Sequence, residues 1–247
     1  MPNSRIELSP GRRFMADLSW LALKVPTSVL KRTIDLGPLS EARAASAESV
    51  PWPLIVAKAY GLTSRDHAFL RRSYVPWPHA HLSEAPYSIA TVMVWRVWGG
   101  DSAALFARII EPEAKPLVGL AAELRAAVET PIEEFHSFRA LRILDRLPRF
   151  VRRIAWWYAF NSGFQRPRFF GTFGVTILGQ RGLTHLVPLA PVTSAITVGP
   201  IGASGAADVT VAFDHRVMDG VHVADALDAF ENHLNGPILA ELRALAS

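Results

Sequence analysis

The 247-residue sequence contains no cysteine, which excludes disulfides, a thiolate nucleophile and thiolate-ligated zinc. Charge is also sparse, at 19% of residues against 50% hydrophobic, and the net charge is only +4. A chain this apolar buries a core and does not stay disordered. So small a surplus gives no case for nucleic acid, and no nucleic-acid motif is present. It suits an anionic partner, such as a phosphorylated cofactor, an acidic carrier protein or an anionic lipid surface. No apolar run reaches transmembrane length, and the opening MPNSRIELSPGRRF lacks an apolar signal core. No Gly-x-Ser-x-Gly elbow occurs, and no histidine pair has HExxH spacing. His79 and His81 fall in a proline-rich stretch and His185 stands apart, so no metal site is expected. These absences describe a soluble, cytoplasmic protein without metal and without nucleic acid.

What is present has a clear order. Residues 12–24, RRFMADLSWLALK, carry apolar side chains at helical spacing, and Pro26 then favours extended backbone. TSVLKRTIDL (27–36) reads as a strand ending near Gly37-Pro38, and PWPLIVAKAYGL (51–62) as a helix entered through prolines. YSIATVMVWRVW (87–98) is a strand stopped by Gly99-Gly100, ALFARII (104–110) a second strand, and KPLVGLAAELRAAVE (115–129) an amphipathic helix. From Gly171 onward, GTFGVTILG, SAITVGPIG and DVTVAFDH are three strand candidates in succession, closed by a helix over Val221–Leu234. Clustered C-terminal strands predict an α/β protein of the α+β two-layer sandwich type, not alternating βαβ units. With no repeat or linker, residues 1–247 read as a single domain.

Between these parts lies FHSFRALRILDRLPRFVRRIAWWYAF. It spaces Arg139, Arg142, Arg146, Arg149 and Arg153 by threes and fours, one basic stripe on a continuous helix. Leu141, Leu144, Leu147, Val151 and Ile154 would face away, and Pro148 would kink or split the helix. An aromatic run follows: Trp156, Trp157, Tyr158, Phe160, Phe164, Phe169 and Phe170. The stripe is either a solvated face or a docking surface for an acidic carrier, coenzyme A phosphates or an anionic membrane.

The chemistry concentrates in FDHRVMDG, residues 213–220. A histidine at a strand's end, followed by an Asp-Gly turn, is rigidly presented, and imidazole exchanges protons near neutral pH. Either His215 satisfies a local carbonyl, or it is a base. With no cysteine and no serine elbow, such a base would activate a nucleophile carried by the substrate. Attack on an acyl group would also need a donor to the developing oxyanion. Thr176, in GTFGVTILG near the end of another strand, is a candidate.

DHRVMDG resembles the DHRxxDG signature of the acyltransferase (E2) catalytic domain of 2-oxo acid dehydrogenase complexes. The related chloramphenicol acetyltransferases carry HHxxxDG there. GTFGVTILGQRGLTHLVPLAPVTSAITVGPI, RRFMADLSWLALKVPTSVLKRTIDLGPL, PLIVAKAY, ALFARII and PLVGLAAEL are similar to successive family segments, so the likeness spans nearly the whole chain. It implies a chloramphenicol acetyltransferase-like mixed sheet packed against helices. It also implies a homotrimer whose active-site channels lie between subunits, with His215 from one copy and Thr176 from its neighbour.

The resemblance assigns roles by position. His215 matches the general base that deprotonates a thiol attacking a thioester, and Thr176 matches the serine that steadies the oxyanion. Asp219 matches an aspartate that organises the site through an ion pair, with Arg12 its expected partner and Arg13 the alternative. Gly220 would permit the turn, while Asp214 and Arg216 would support the loop. Coenzyme A, or an acylated lipoyl or pantetheine carrier, is the implied thioester. Ile177 stands where the family has asparagine, and Gly174 where it has threonine. Neither a lipoyl domain nor a peripheral-subunit-binding domain is seen. Three readings follow: a stand-alone acyltransferase, an E2-like core borrowing lipoyl domains from another chain, and a non-catalytic trimeric scaffold.

Overall fold

A computed structural model describes residues 6–178 and 182–246. The long apolar strands set its architecture. Strand β4 (Ile89–Trp98) pairs antiparallel with β5 (Asp101–Ile110), from Ile89 opposite Ile110 to Trp98 opposite Asp101. Next to β4 runs β6 (Phe173–Ile177) in parallel, followed by β7 (Ser194–Val198), parallel to β6. Strand β8 (Ala206–Asp214) returns antiparallel to β7, and β1 (Thr27–Asp35) pairs antiparallel with β8 at the edge. The mixed six-stranded order is β1-β8-β7-β6-β4-β5. β7 is buried throughout and β6 nearly so, hence their continuous small and apolar sequences. Edge strand β1 is largely exposed and carries Lys31, Arg32 and Thr33. Charge at an exposed edge discourages pairing with another chain's strand.

One face of the sheet is covered by α3 (Trp52–Asp66), α4 (Leu117–Glu129) and α8 (Gly220–His233). α3 is entered at Pro51 and is buried almost all round, as befits a helix without a polar face. Its Tyr60 hydroxyl donates to Ser194 Oγ at 3.1 Å, and its ring meets Phe173 and Phe230 edge-on at 4.9 and 6.0 Å. One side chain thus joins β6, β7 and α8.

At the β4–β5 end, the other face carries α1 (Pro10–Ala22), α5 (Arg139–Asp145), α6 (Arg149–Asn161) and α7 (Gln165–Phe170). Phe14 of α1 packs on Phe106 and Trp156, both at 6.1 Å. Buried Asp17 accepts from both Arg152 and Arg153 of α6, which clamps the two helices together.

Several parts differ from the sequence reading. The single basic helix is two, because Pro148 caps α6 and breaks the run after α5. The stripe is broken with it. Arg153 is held by Asp17 and lies 4.4 Å over the Trp20 ring, while Ile154, expected to face inward, is 65% exposed. The proline-rich stretch with His79 and His81 is partly a hairpin, β2 (Arg72–Val75) with β3 (His81–Glu84). Strands of four residues are too short to show alternation. Helices α2 (Gly37–Ala45) and α9 (Leu239–Ala244), which pack on each other, were also not apparent. No described helix is long and apolar enough to cross a membrane.

Candidate active site

β8 ends in a buried carboxylate that shapes the turn after it. Asp214 has no exposed surface, and its own N–H donates to Thr193 O at 2.8 Å. Its carboxylate accepts from Arg216 three times: the backbone N–H at 3.1 Å, Nε at 2.9 Å and Nη2 at 2.7 Å. The Arg216 guanidinium in turn lies 4.4 Å over the Tyr74 ring of β2. Asp214 and Arg216 therefore support the loop, in the geometry that makes an Arg–carboxylate pair directional.

His215 lies between them, its ring 5.7 Å from that of Phe213. Its N–H donates to Pro26 O at 3.2 Å, and its side chain stays 53% exposed. Asp219 Oδ1 lies 3.2 Å from His215 Nδ1. An acidic oxygen there favours a proton on Nδ1 and leaves Nε2 as the basic nitrogen. Asp219 also begins α8, where its N–H donates to His222 Nδ1 at 3.2 Å.

Two expectations for this turn fail. Asp219 pairs with neither Arg12 nor Arg13: Arg12 faces Asp101 at 3.7 Å, and Arg13 holds Asp145 at 2.7 and 2.8 Å. The reason is topological. α1 lies against β5 at one edge of the sheet, while α8 lies against β1 at the other. Gly220 is not needed for the turn either. It sits in α8 without positive φ, and a Cβ there would meet only Leu30 at 3.6 Å, ordinary contact. The glycine that does matter is Gly171, before β6. Its φ is +84°, and a Cβ would fall 2.1 Å from Thr91 Oγ1.

Thr176 lies on β6, in one row with Thr197 and Thr210 across three strands. Its hydroxyl has no hydrogen-bond partner among the described residues, and Thr176 lines a mostly apolar cavity of about 300 Å³. α1, β4, β5, α5, α6 and α7 wall this cavity, together with residues 187–192. His215 is not in its lining. Along the strands His215 is five residues beyond the row of Thr176, and two strands across. At ~3.3 Å per residue and ~4.8 Å per strand, the two are on the order of 15–20 Å apart. One chain does not bring His215 and Thr176 together.

Three residues near these half-sites were not read from the sequence as functional. Arg166 of α7 is fully buried; it donates to Pro191 O at 3.3 Å and Tyr74 O at 2.9 Å and lies 4.3 Å over the Phe160 ring. Burial pushes its guanidinium down to about 10, with nearby Asp214 acting the other way, so it stays charged at neutral pH. Tyr74 is the platform for Arg216, and His185 lines the Thr176 cavity with a buried, unpartnered Nδ1. All three sit in or beside short elements, where no periodicity marks a position. The aromatic run divides: Trp156, Phe160 and Phe170 are buried, whereas Trp157, Tyr158 and Phe164 are exposed. Among the described residues, no group of three or more acidic or histidine side chains is placed to hold a metal.

No family model matches the sequence, and no curated protein sequence is significantly similar to it. Solved structures are similar in fold. The dihydrolipoamide acetyltransferase (E2p) of Azotobacter vinelandii superposes with a TM-score of 0.66 at 18% identity, covering 99% of this chain and 94% of that one. The study of that enzyme concerns a serine, a histidine and an asparagine in its catalytic mechanism, the asparagine four residues after the histidine. Asp219 stands at that interval from His215. A truncated catalytic core of the 2-oxoacid dehydrogenase multienzyme complex from Thermoplasma acidophilum gives 0.66 at 16% identity, covering 95% and 99%. A chloramphenicol acetyltransferase gives 0.50 at 12% identity, covering 89% and 94%. The mixed sheet with its two sets of helices is therefore the fold shared by the catalytic cores of 2-oxo acid dehydrogenase complexes and by chloramphenicol acetyltransferase.

Proposed function

We propose that this protein is an acyltransferase that moves an acyl group from a thioester to a thiol, hydroxyl or amine acceptor. The thioester is one of coenzyme A or of a lipoyl or pantetheine carrier, and the site forms between two copies of a homotrimer. The observation that carries this is the His215–Asp219 pair, set on the pinned turn at the end of β8 in this fold. His215 takes the acceptor's proton as the acceptor attacks the thioester carbonyl carbon. The carbonyl oxygen becomes an oxyanion, to which Thr176 of the neighbouring copy donates. The tetrahedral intermediate collapses, the carbon–sulfur bond breaks, and the leaving thiolate takes the proton from the His215 imidazolium. Asp219 keeps the imidazole in the tautomer that can do this. Arg139, Arg146 and Arg149 are exposed and supply positive charge to an anionic carrier.

The test is incubation with a panel of acyl-coenzyme A and acyl-lipoyl donors, reading released thiol and transferred acyl mass. His215→Ala should lower turnover by about 100- to 10,000-fold while the trimer persists. Thr176→Val should lower it by about 100-fold or more, and Thr176→Ser should retain most of it. Wild-type turnover in His215→Ala would overturn the mechanism. Transfer only from acyl-lipoyl domains would identify a core served by another chain, and no transfer from any donor by an intact trimer would favour a scaffold.

A further inference from the structure

The cavity beside Thr176 is a mostly apolar space that the catalytic scheme leaves unused. Protein interiors seldom leave voids larger than a water molecule, yet here about 300 Å³ is left as a cleft partly open to solvent. That is roughly twice the ~150 Å³ that accommodates benzene in an engineered cavity of another protein. Leu18, Met93, Phe106, Leu141, Trp156 and Phe170 form most of its apolar wall. Two polar groups on the wall are already engaged: the Thr91 hydroxyl donates to Phe170 O at 2.7 Å, and the Arg108 guanidinium donates to Arg168 O; Ser19 and Ser137 add two small hydroxyls at its edge. Among the described residues, Trp156 Nε1 and His185 Nδ1 are buried without a partner, and the Thr176 hydroxyl makes no hydrogen bond. A preformed apolar chamber with a free hydroxyl on its wall is a binding site in search of an apolar group.

We infer that this cavity seats the acyl group itself and selects a bulky apolar acyl (branched, aromatic or of medium chain length) over acetyl. The inference rests on the acyltransferase reading, because Thr176 locates the carbonyl oxygen. With that oxygen at Thr176, the carbonyl carbon stands at the cavity wall. Of its two substituents, the thiol carrier is long and polar and runs outward toward His215 of the neighbouring copy. The acyl chain is left to fill the chamber. An acetyl group would leave most of the space empty and the wall without contacts.

Two measurements separate this inference from the reading it rests on. In the first, kcat/KM is compared for acetyl-, isovaleryl-, hexanoyl- and benzoyl-coenzyme A, in the wild type and in Ala140→Phe and Ala104→Leu. These two variants narrow the chamber from opposite sides. The bulky donors should exceed acetyl by at least about tenfold, and each variant should reduce that ratio severalfold. In the second, calorimetry on His215→Ala compares S-methyl- and S-hexyl-coenzyme A, thioethers that cannot react. Burial of a methylene tightens binding by roughly fourfold, so the hexyl compound should bind at least about tenfold tighter, and narrowing the chamber should erase the difference. Transfer that favours acetyl, or a donor ratio unmoved by both variants, would overturn the acyl pocket and leave the acyltransferase standing. No transfer at all would defeat the acyltransferase reading. Equal binding of the two thioethers would then defeat the pocket as well.

Discussion

Arg166 has no exposed surface, and its guanidinium ties strand β2 to the segment before β7, beside the Thr193–Arg72 hydrogen bond that also joins them. It donates to Pro191 O on the cavity wall and to Tyr74 O, whose ring supports Arg216 and, through it, Asp214 and the His215 turn. Its Nη2 has no partner, so the site is not a fully satisfied network. Removing the side chain leaves the buried Pro191 O without a donor, at about 1–3 kcal/mol, takes one from the half-buried Tyr74 O, and opens a gap against Phe160. Arg166→Leu should therefore destabilise the fold by about 2–4 kcal/mol in urea denaturation. Arg139→Leu, at an exposed position, should change it by less than about 0.5 kcal/mol. A neutral Arg166→Leu would show that packing and the Thr193–Arg72 hydrogen bond hold the two segments without it.

Between elements, the contact of α3 with β7 carries a pH signature. Burial pushes the Tyr60 hydroxyl up to about 12, against a smaller opposite effect of its hydrogen bond to Ser194. In the unfolded chain a tyrosine titrates near 10. Below pH 10 both states keep the proton, and the group adds no pH dependence. Between about 10 and 12 the unfolded state loses the proton that the folded state retains, so stability falls as pH rises. The loss attributable to Tyr60 is at most about 3 kcal/mol. Tyr60→Phe should lower stability at neutral pH by about 1 kcal/mol, for the lost hydrogen bond. It should also flatten the alkaline decline, measured as urea midpoints from pH 9 to 12. Parallel declines in both proteins would mean that another group dominates there.

At the scale of the whole molecule, the proposed mechanism requires assembly, because Thr176 and His215 are separated within one chain. A trimer whose sites lie between copies can be rebuilt from two inactive variants. Co-expressed His215→Ala and Thr176→Val chains should form mixed trimers in which some interfaces join an intact histidine to an intact threonine. Such a mixture should recover a substantial fraction of wild-type turnover, on the order of a quarter per interface if chains mix at random. Light scattering should show a trimer at micromolar concentration. Mixed trimers with no recovered activity would place base and donor within one chain, against the geometry of the sheet.

The periodic part of this protein was legible without coordinates. β1, β4, β5, β6, β7 and β8, together with α1, α3, α4 and α8, are long enough for alternation or helical spacing to show, and each lies within a few residues of its expected bounds. The His215 turn was legible because its residues are consecutive, so the chain alone holds Asp214, His215 and Asp219 in fixed relation. Nothing local could show that Arg12 is drawn to Asp101 and away from Asp219, since strand order decides which sheet edge each helix meets. The same holds for Arg166, for Tyr74 and for the cavity beside Thr176. Each is made by segments distant along the chain, and side chains that meet only after the sheet has formed leave no spacing to read. The sequence determined which groups lie together on the His215 turn, because they are consecutive; the tertiary structure decided that Thr176 lies apart from them, because strand order sets its place in the sheet.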